Sequence, residues 1–89
     1  MLKVIPVGNE KLPTHFIIQP ENELPIATIS FTEGKRTVNG VTERALLEIL
    51  EIRLQALQDG PKACCEYEQV LAHVRCAIAA LILREAEST

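Results

Sequence analysis

The chain has 89 residues, 47% of them hydrophobic, and a formal net charge of −3. A chain of that length makes one domain and buries only about 60–65% of the surface it exposes when unfolded, so partner chains are expected to complete its core. The acidic balance argues against a groove for long DNA or RNA, which needs a basic surface, and no run approaches the ~20 apolar residues of a membrane span.

Residues 1–40 read as a β-rich part. Leu2–Val7 is short and β-branched and ends at Gly8-Asn9. Thr14–Gln19 carries Phe16, Ile17 and Ile18 and is closed by Pro20. In Pro25–Phe31, Ile26, Thr28 and Ser30 alternate with Ala27, Ile29 and Phe31, the period of a strand. Glu33-Gly34-Lys35 is a turn signal, after which Arg36–Val38 can return as a fourth short strand. Pro6, Pro13, Pro20 and Pro25 fall at strand edges or between strands, where a missing N–H does least harm. The expectation is an antiparallel sheet of three or four strands.

Residues 41–87 read as a helical hairpin. Thr42 is the expected N-cap of a first helix running to about Gln58. Leu46, Leu47, Leu50, Leu54 and Leu57 make one face, widened by Ala45, Ile49, Ile52 and Ala56. Asp59-Gly60-Pro61 ends it, with Gly60 suited to a left-handed C-cap and Pro61 to the first turn of a second helix. That second helix is expected from Pro61 or Lys62 to Glu87, about 35–40 Å long. Its main apolar arc holds Tyr67, Val70, Leu71, Val74, Ala77, Ile78, Leu81 and Ile82. A separate stripe of Cys65, Ala72, Cys76, Ala79 and Leu83 is spaced like a seam between helices. It either lines a solvated face or packs on another subunit, and the second is preferred. The fold class is therefore α+β: a small N-terminal antiparallel sheet, then a long antiparallel helical hairpin, in an oligomer.

Arg53 is the oddest residue, because helical spacing sets it among Leu46, Leu50 and Leu57. A guanidinium is not buried without a partner. Arg53 therefore pairs with Glu66 or Glu43, or buries only its stem, or serves as a phosphate or carboxylate ligand at a pocket between helices or subunits. Arg84, near the end of the second helix, either interacts with the helix C-terminus or contacts phosphate. Lys35 and Arg36 sit with Asn39 in the turn before the first helix, either in solvent or closing over an anion bound by a neighbouring chain. Glu43, Glu48, Glu51 and Glu68 read as solvated helix faces.

The 3 cysteines, Cys64, Cys65 and Cys76, cannot all pair within one chain, and adjacent Cys64 and Cys65 are poorly placed to bridge each other. Without a signal peptide, reduced thiols and the cytoplasm are the expectation. His73 and Cys76 face similar directions, but the pattern lacks the further ligands of a zinc site. No base or oxyanion donor accompanies the cysteines, and the 4 scattered glycines form no phosphate loop. No catalytic residue, metal or cofactor is expected, so the chain does not read as an enzyme.

Residues 29–84 resemble the hairpin domain of the phage anti-Thoeris and anti-CBASS nucleotide sponges. The resemblance is carried by Ile29-Ser30-Phe31, Val38-Asn39-Gly40-Val41-Thr42, Leu46-Leu47, Arg53-Leu54, Gln58-x-Gly60-Pro61-x-Ala63-Cys64-x-Glu66, and Arg84. It implies a small sheet joined to a helical hairpin, assembled as an oligomer, often a hexamer. It also implies binding of a cyclic nucleotide or cyclic ADP-ribose-type immune signal in the host cytoplasm without hydrolysis. The family's base-stacking position near the end of helix one falls on Leu57, an asparagine early in helix two falls on Tyr67, and the first arginine of its closing signature falls on Arg84. The ligand set implied is thus Arg84, Arg53, Tyr67, Leu57, Arg36, Lys35 and Asn39. The alternative is a structural or regulatory phage protein that binds a protein partner through its helices.

Overall fold

A computed structural model describes residues 1–8, 11–31 and 40–87. The chain divides into two compact units, Met1–Thr42 and Glu43–Thr89.

The first unit is a three-stranded antiparallel sheet of β1 (Leu2–Pro6), β2 (His15–Pro20) and β3 (Ala27–Ser30), in the order β1-β2-β3. Leu2 pairs with Pro20, Val4 with Ile18 and Ile5 with Ile17; Phe16 then pairs with Ile29 and Ile18 with Ala27. Period-two alternation therefore puts Leu2, Val4, Phe16, Ile18, Ala27 and Ile29 on one face. The Phe16 and Phe31 rings meet edge to face at 5.7 Å and 85°. β1 is an edge strand, which lets it end in Pro6, and Pro20 closes β2. Beyond Pro20 the chain turns through Asn22 at φ 61, a left-handed conformation that asparagine tolerates. Thr14 is buried, its Oγ1 2.8 Å from His15 Nδ1. The Phe31 N–H donates to the Thr14 carbonyl at 2.7 Å, and Val41 N–H to Ser30 at 2.8 Å. The short strand expected at 36–38 lies outside the described residues.

The second unit is the hairpin of α1 (Glu43–Gln58) and α2 (Cys65–Glu87). Thr42 directly precedes α1, as an N-cap should. Gly60 does not take the expected left-handed φ. Instead, Asp59 N–H donates to Gln55 and Gly60 N–H to Leu57, at 2.9 and 3.3 Å, so α1 ends by tightening its last turn. The second helix begins at Cys65, later than Pro61 or Lys62. Pro61 and Lys62 belong to a turn in which Ala63 N–H donates to the Gly60 carbonyl at 3.3 Å. The Cys64 N–H donates to the Gln58 side-chain oxygen at 3.0 Å, so a residue of α1 satisfies the approach to α2.

Leu71, Val74 and Ile78 are the buried apolar residues of the hairpin among those described, with Tyr67, Ala77 and Leu81 half-buried beside them. The expected main arc of α2 is thus the packing face, with Val70 and Ile82 at its exposed margins. On α1 the outcome is mixed: Ala45, Leu46, Leu47, Leu54 and Leu57 of the expected face are half-buried. The side turned to α2 is marked by Arg44, Leu47, Glu51, Leu54 and Gln58, all half-buried. Ile49, Leu50, Ile52 and Arg53, expected on the core arc, are exposed. The polar members of the packing side are tolerated because each has a partner. Arg44 donates to Glu48 and to Glu85, both at 2.9 Å; Arg75 donates to Glu51 at 3.0 Å and to Gln55 at 2.6 Å. Glu48 and Glu51 are therefore ion-paired rather than merely solvated.

Candidate functional site

Of the expected ligand residues, α1 brings two into one groove at the turn end of the hairpin. It has a volume of ≈ 290 Å³ and is lined by Arg53, Ala56, Leu57, Gly60, Pro61 and Lys62. Arg53 and Leu57 are one helical turn apart and share a side of α1. The turn Asp59–Ala63 folds Lys62 back toward them. Ala56, Leu57 and Pro61 give the groove an apolar wall, and Arg53 and Lys62 give it two cations.

Arg53 is exposed and makes none of the intramolecular ion pairs expected for it. Among the described residues the ion pairs join Lys3 to Glu21, Arg44 to Glu48 and Glu85, and Arg75 to Glu51. Neither Glu66 nor Glu43 engages Arg53. A free guanidinium beside an apolar wall can form a bidentate contact with an incoming phosphate or carboxylate. The carbonyl end of α1 carries partial negative charge, so attraction for an anion must come from the two side chains.

The remaining expected residues do not converge on this groove. Tyr67 is half-buried on the packing face of α2, one turn before Leu71, and is absent from the groove's lining. Arg84 lies exposed in the last turn of α2. The Arg44–Glu85 pair sets that turn level with the start of α1, roughly 13 Å along the hairpin from Arg53. Lys35, Arg36 and Asn39 lie outside the described residues. Lys62 was not singled out in the sequence; the signal available was a cation directly after the Gly60-Pro61 turn, where the chain folds back on the end of α1.

A second groove, of ≈ 370 Å³, is lined by Glu51, Ile52, Gln55, Ala56, Asp59 and Arg75. Its one cation, Arg75, is already engaged by Glu51 and Gln55.

At the start of α2, the Glu66 carboxyl is held below the usual carboxylate range, first by its own backbone N–H, then by the side chains of Cys65 and Cys64. The Cys65 thiol lies 3.4 Å from Glu66 Oε2. Cys65 and Cys76 are exposed and Cys64 is half-buried, all three as free thiols. With Ala72, Ala79 and Leu83, also exposed, Cys65 and Cys76 form the expected stripe on the side of α2 turned away from α1. Among the described residues, no cluster of three or more His, Cys, Asp or Glu could hold a metal ion, and no helix is long and apolar enough to cross a membrane.

No protein-family model matches the chain, nor does any curated protein.

Proposed function

We propose that the protein is a sponge: it binds a cyclic nucleotide or cyclic ADP-ribose-type signal and holds it unchanged, as a phage would use it against a host defence. The observation that carries this reading is the unpaired Arg53 guanidinium, which shares an apolar-walled groove with Lys62 and Leu57. Two cations suit phosphates, and the aliphatic wall suits a base or ribose face. The resemblance of residues 29–84 to the sponge hairpin supports the same ligand class.

At ≈ 290 Å³ the groove is at the small end for a nucleotide-sized ligand. Nanomolar capture requires about −12 kcal/mol and a desolvated pocket. A neighbouring subunit of a homo-oligomer would supply the missing wall, and Arg84 of that subunit the further cation. The test is calorimetric titration of the protein with cyclic dinucleotides, cyclic trinucleotides and cyclic ADP-ribose isomers. Binding of one of them, weakened at least about tenfold by Arg53→Ala and also reduced by Lys62→Ala, supports the reading. Equal binding by wild type and Arg53→Ala places the ligand elsewhere.

The alternative, a protein that acts by docking a protein partner on its helices, is favoured by the exposed Ile49, Leu50 and Ile52 on α1. A panel without a binder would leave that reading in the lead.

A further inference from the structure

We infer that Gln58 is a positioning residue for the groove of Arg53 and Lys62. Its side-chain amide holds the start of α2 to the end of α1, and so keeps Lys62 beside Arg53. The inference rests on the reading of that groove as an anion site.

The two cations reach the groove by different routes. Arg53 belongs to α1, and the helix itself fixes where its backbone stands. Lys62 lies in the turn between the helices, where no regular element fixes it. Within that turn, Ala63 N–H donates to the Gly60 carbonyl at 3.3 Å. Pro61 and Lys62 are therefore the central residues of a four-residue turn, and the proline ring fixes φ at Pro61. The turn is a stiff unit; what is left to settle is its tilt over the end of α1.

That tilt is set at both ends. At the entry the tie is backbone: Gly60 N–H donates to the Leu57 carbonyl at 3.3 Å. At the exit it is a side chain: Cys64 N–H donates to Gln58 Oε1 at 3.0 Å. Among the described residues, the fully buried packing of α2 begins at Leu71, about two turns further along. Gln58 thus ties the exit of the turn to α1 where the packing of the two helices has not yet closed.

Residue type and place both suit this task. Gln58 is the last residue of α1, and its amide reaches six residues ahead in the chain. Gln58 and Cys64 are both half-buried, so water competes less for the hydrogen bond than at an open surface. An asparagine, one methylene shorter, would fall short of the contact. A methionine has the length, but in place of the oxygen only a weakly accepting sulfur. Gln58 does not line the groove, so it acts through Lys62 and not on the ligand. Two cations already converged when the anion arrives need less ordering on contact, and binding is tighter for it. Released at its exit, the turn lets Lys62 swing away and leaves Arg53 to hold the anion alone.

The test has two arms, both on the full chain. In the first, without ligand, amide hydrogen exchange is followed by NMR. The Cys64 amide should exchange at least about fivefold faster in Gln58→Met than in wild type. Gln58→Glu, which keeps an oxygen acceptor, should restore the protection. The Leu71, Val74 and Ile78 amides should exchange alike in all three. In the second arm, inorganic pyrophosphate is titrated in and binding is followed by NMR. Gln58→Met should weaken binding at least about threefold when Lys62 is present, and should add no loss to Lys62→Ala. A merely structural role would weaken binding equally in both backgrounds. The inference is overturned by a Cys64 amide that exchanges alike in wild type and Gln58→Met, or by a Gln58→Met loss as large without Lys62 as with it. It is also overturned by a wild type that binds no pyrophosphate up to about 10 mM. A groove that binds pyrophosphate and depends on Gln58, yet takes up no cyclic nucleotide, sinks the sponge reading and leaves this inference standing.

Discussion

Leu71→Ala removes the most deeply buried apolar side chain of the hairpin, 3% exposed in the native chain. In closed cores such a truncation costs about 2.7–5 kcal/mol, the sum of lost transfer energy and the cavity left behind. This core is thin: Leu71, Val74 and Ile78 are its buried apolar members among the described residues, and the half-buried residues around them can partly collapse into the gap. The low end, about 3 kcal/mol, is therefore expected. At about 0.05–0.15 kcal/mol per residue, 89 residues have roughly 4–13 kcal/mol in total, so the loss is a large share. It should lower the melting temperature by about 12–24 °C. The assay is thermal and urea unfolding followed by circular dichroism at the helical band, which reports α1 and α2. Ile52→Ala, at a side chain 71% exposed, is the control and should shift stability by no more than about 0.5 kcal/mol. If Leu71→Ala costs no more than Ile52→Ala, α2 does not pack on α1 through Leu71, and the hairpin core is assigned to the wrong face.

Three other outcomes follow from the same geometry. Gly60→Ala should be neutral or stabilise by about 0.4–1 kcal/mol, because Gly60 lacks a left-handed φ and a Cβ would meet the Ala56 carbonyl oxygen at 3.5 Å; a loss above about 1 kcal/mol in urea unfolding would show that the turn needs glycine. Arg75→Ala should cost at most about 1 kcal/mol, most of it abolished in high salt, because Arg75 and Glu51 side chains are 51% and 34% exposed. Replacing Cys64, Cys65 and Cys76 together by Ser should leave nucleotide binding unchanged, since none of them lines the Arg53 groove; loss of binding in calorimetry with helicity intact would give the thiols a role in the site.

The elements were legible where one physical pattern dominated. Alternating apolar residues and proline punctuation located β1, β2 and β3 to within two residues, and leucine spacing located both helices. The start of α2 was misplaced because Pro61 suits a first helical turn equally well as a tight turn; what decides is Gln58, whose side chain caps the Cys64 N–H. The packing side of α1 was legible only in part: Leu46, Leu47, Leu54 and Leu57 of the expected face are half-buried, while Leu50 and the flanking Ile49, Ile52 and Ala56 are exposed. α1 is apolar over more than half its circumference, so hydrophobic spacing cannot say which part α2 covers. The densest arc, around Leu46, Leu50 and Leu57, drew Arg53 into the expected core. The side turned to α2 keeps Leu47 and Leu54 of the expected face, and its Arg44, Glu51, Gln55 and Gln58 find partners on Glu85, Arg75 and the Cys64 backbone. Such pairings depend on which helix faces which, and no spacing within one helix reveals them. The same circumstance hid the Arg53–Lys62 groove, which exists only once the turn has folded back.

The most direct measurement on the sponge reading is native mass spectrometry of the protein after incubation with cyclic dinucleotides, cyclic trinucleotides and cyclic ADP-ribose isomers, followed by heat denaturation and chromatography of whatever is released. The account predicts that one ligand is retained by the wild-type assembly, is recovered chemically intact, and is lost or greatly reduced with Arg53→Ala. Retention of none of them, or recovery of a cleaved product, would contradict it.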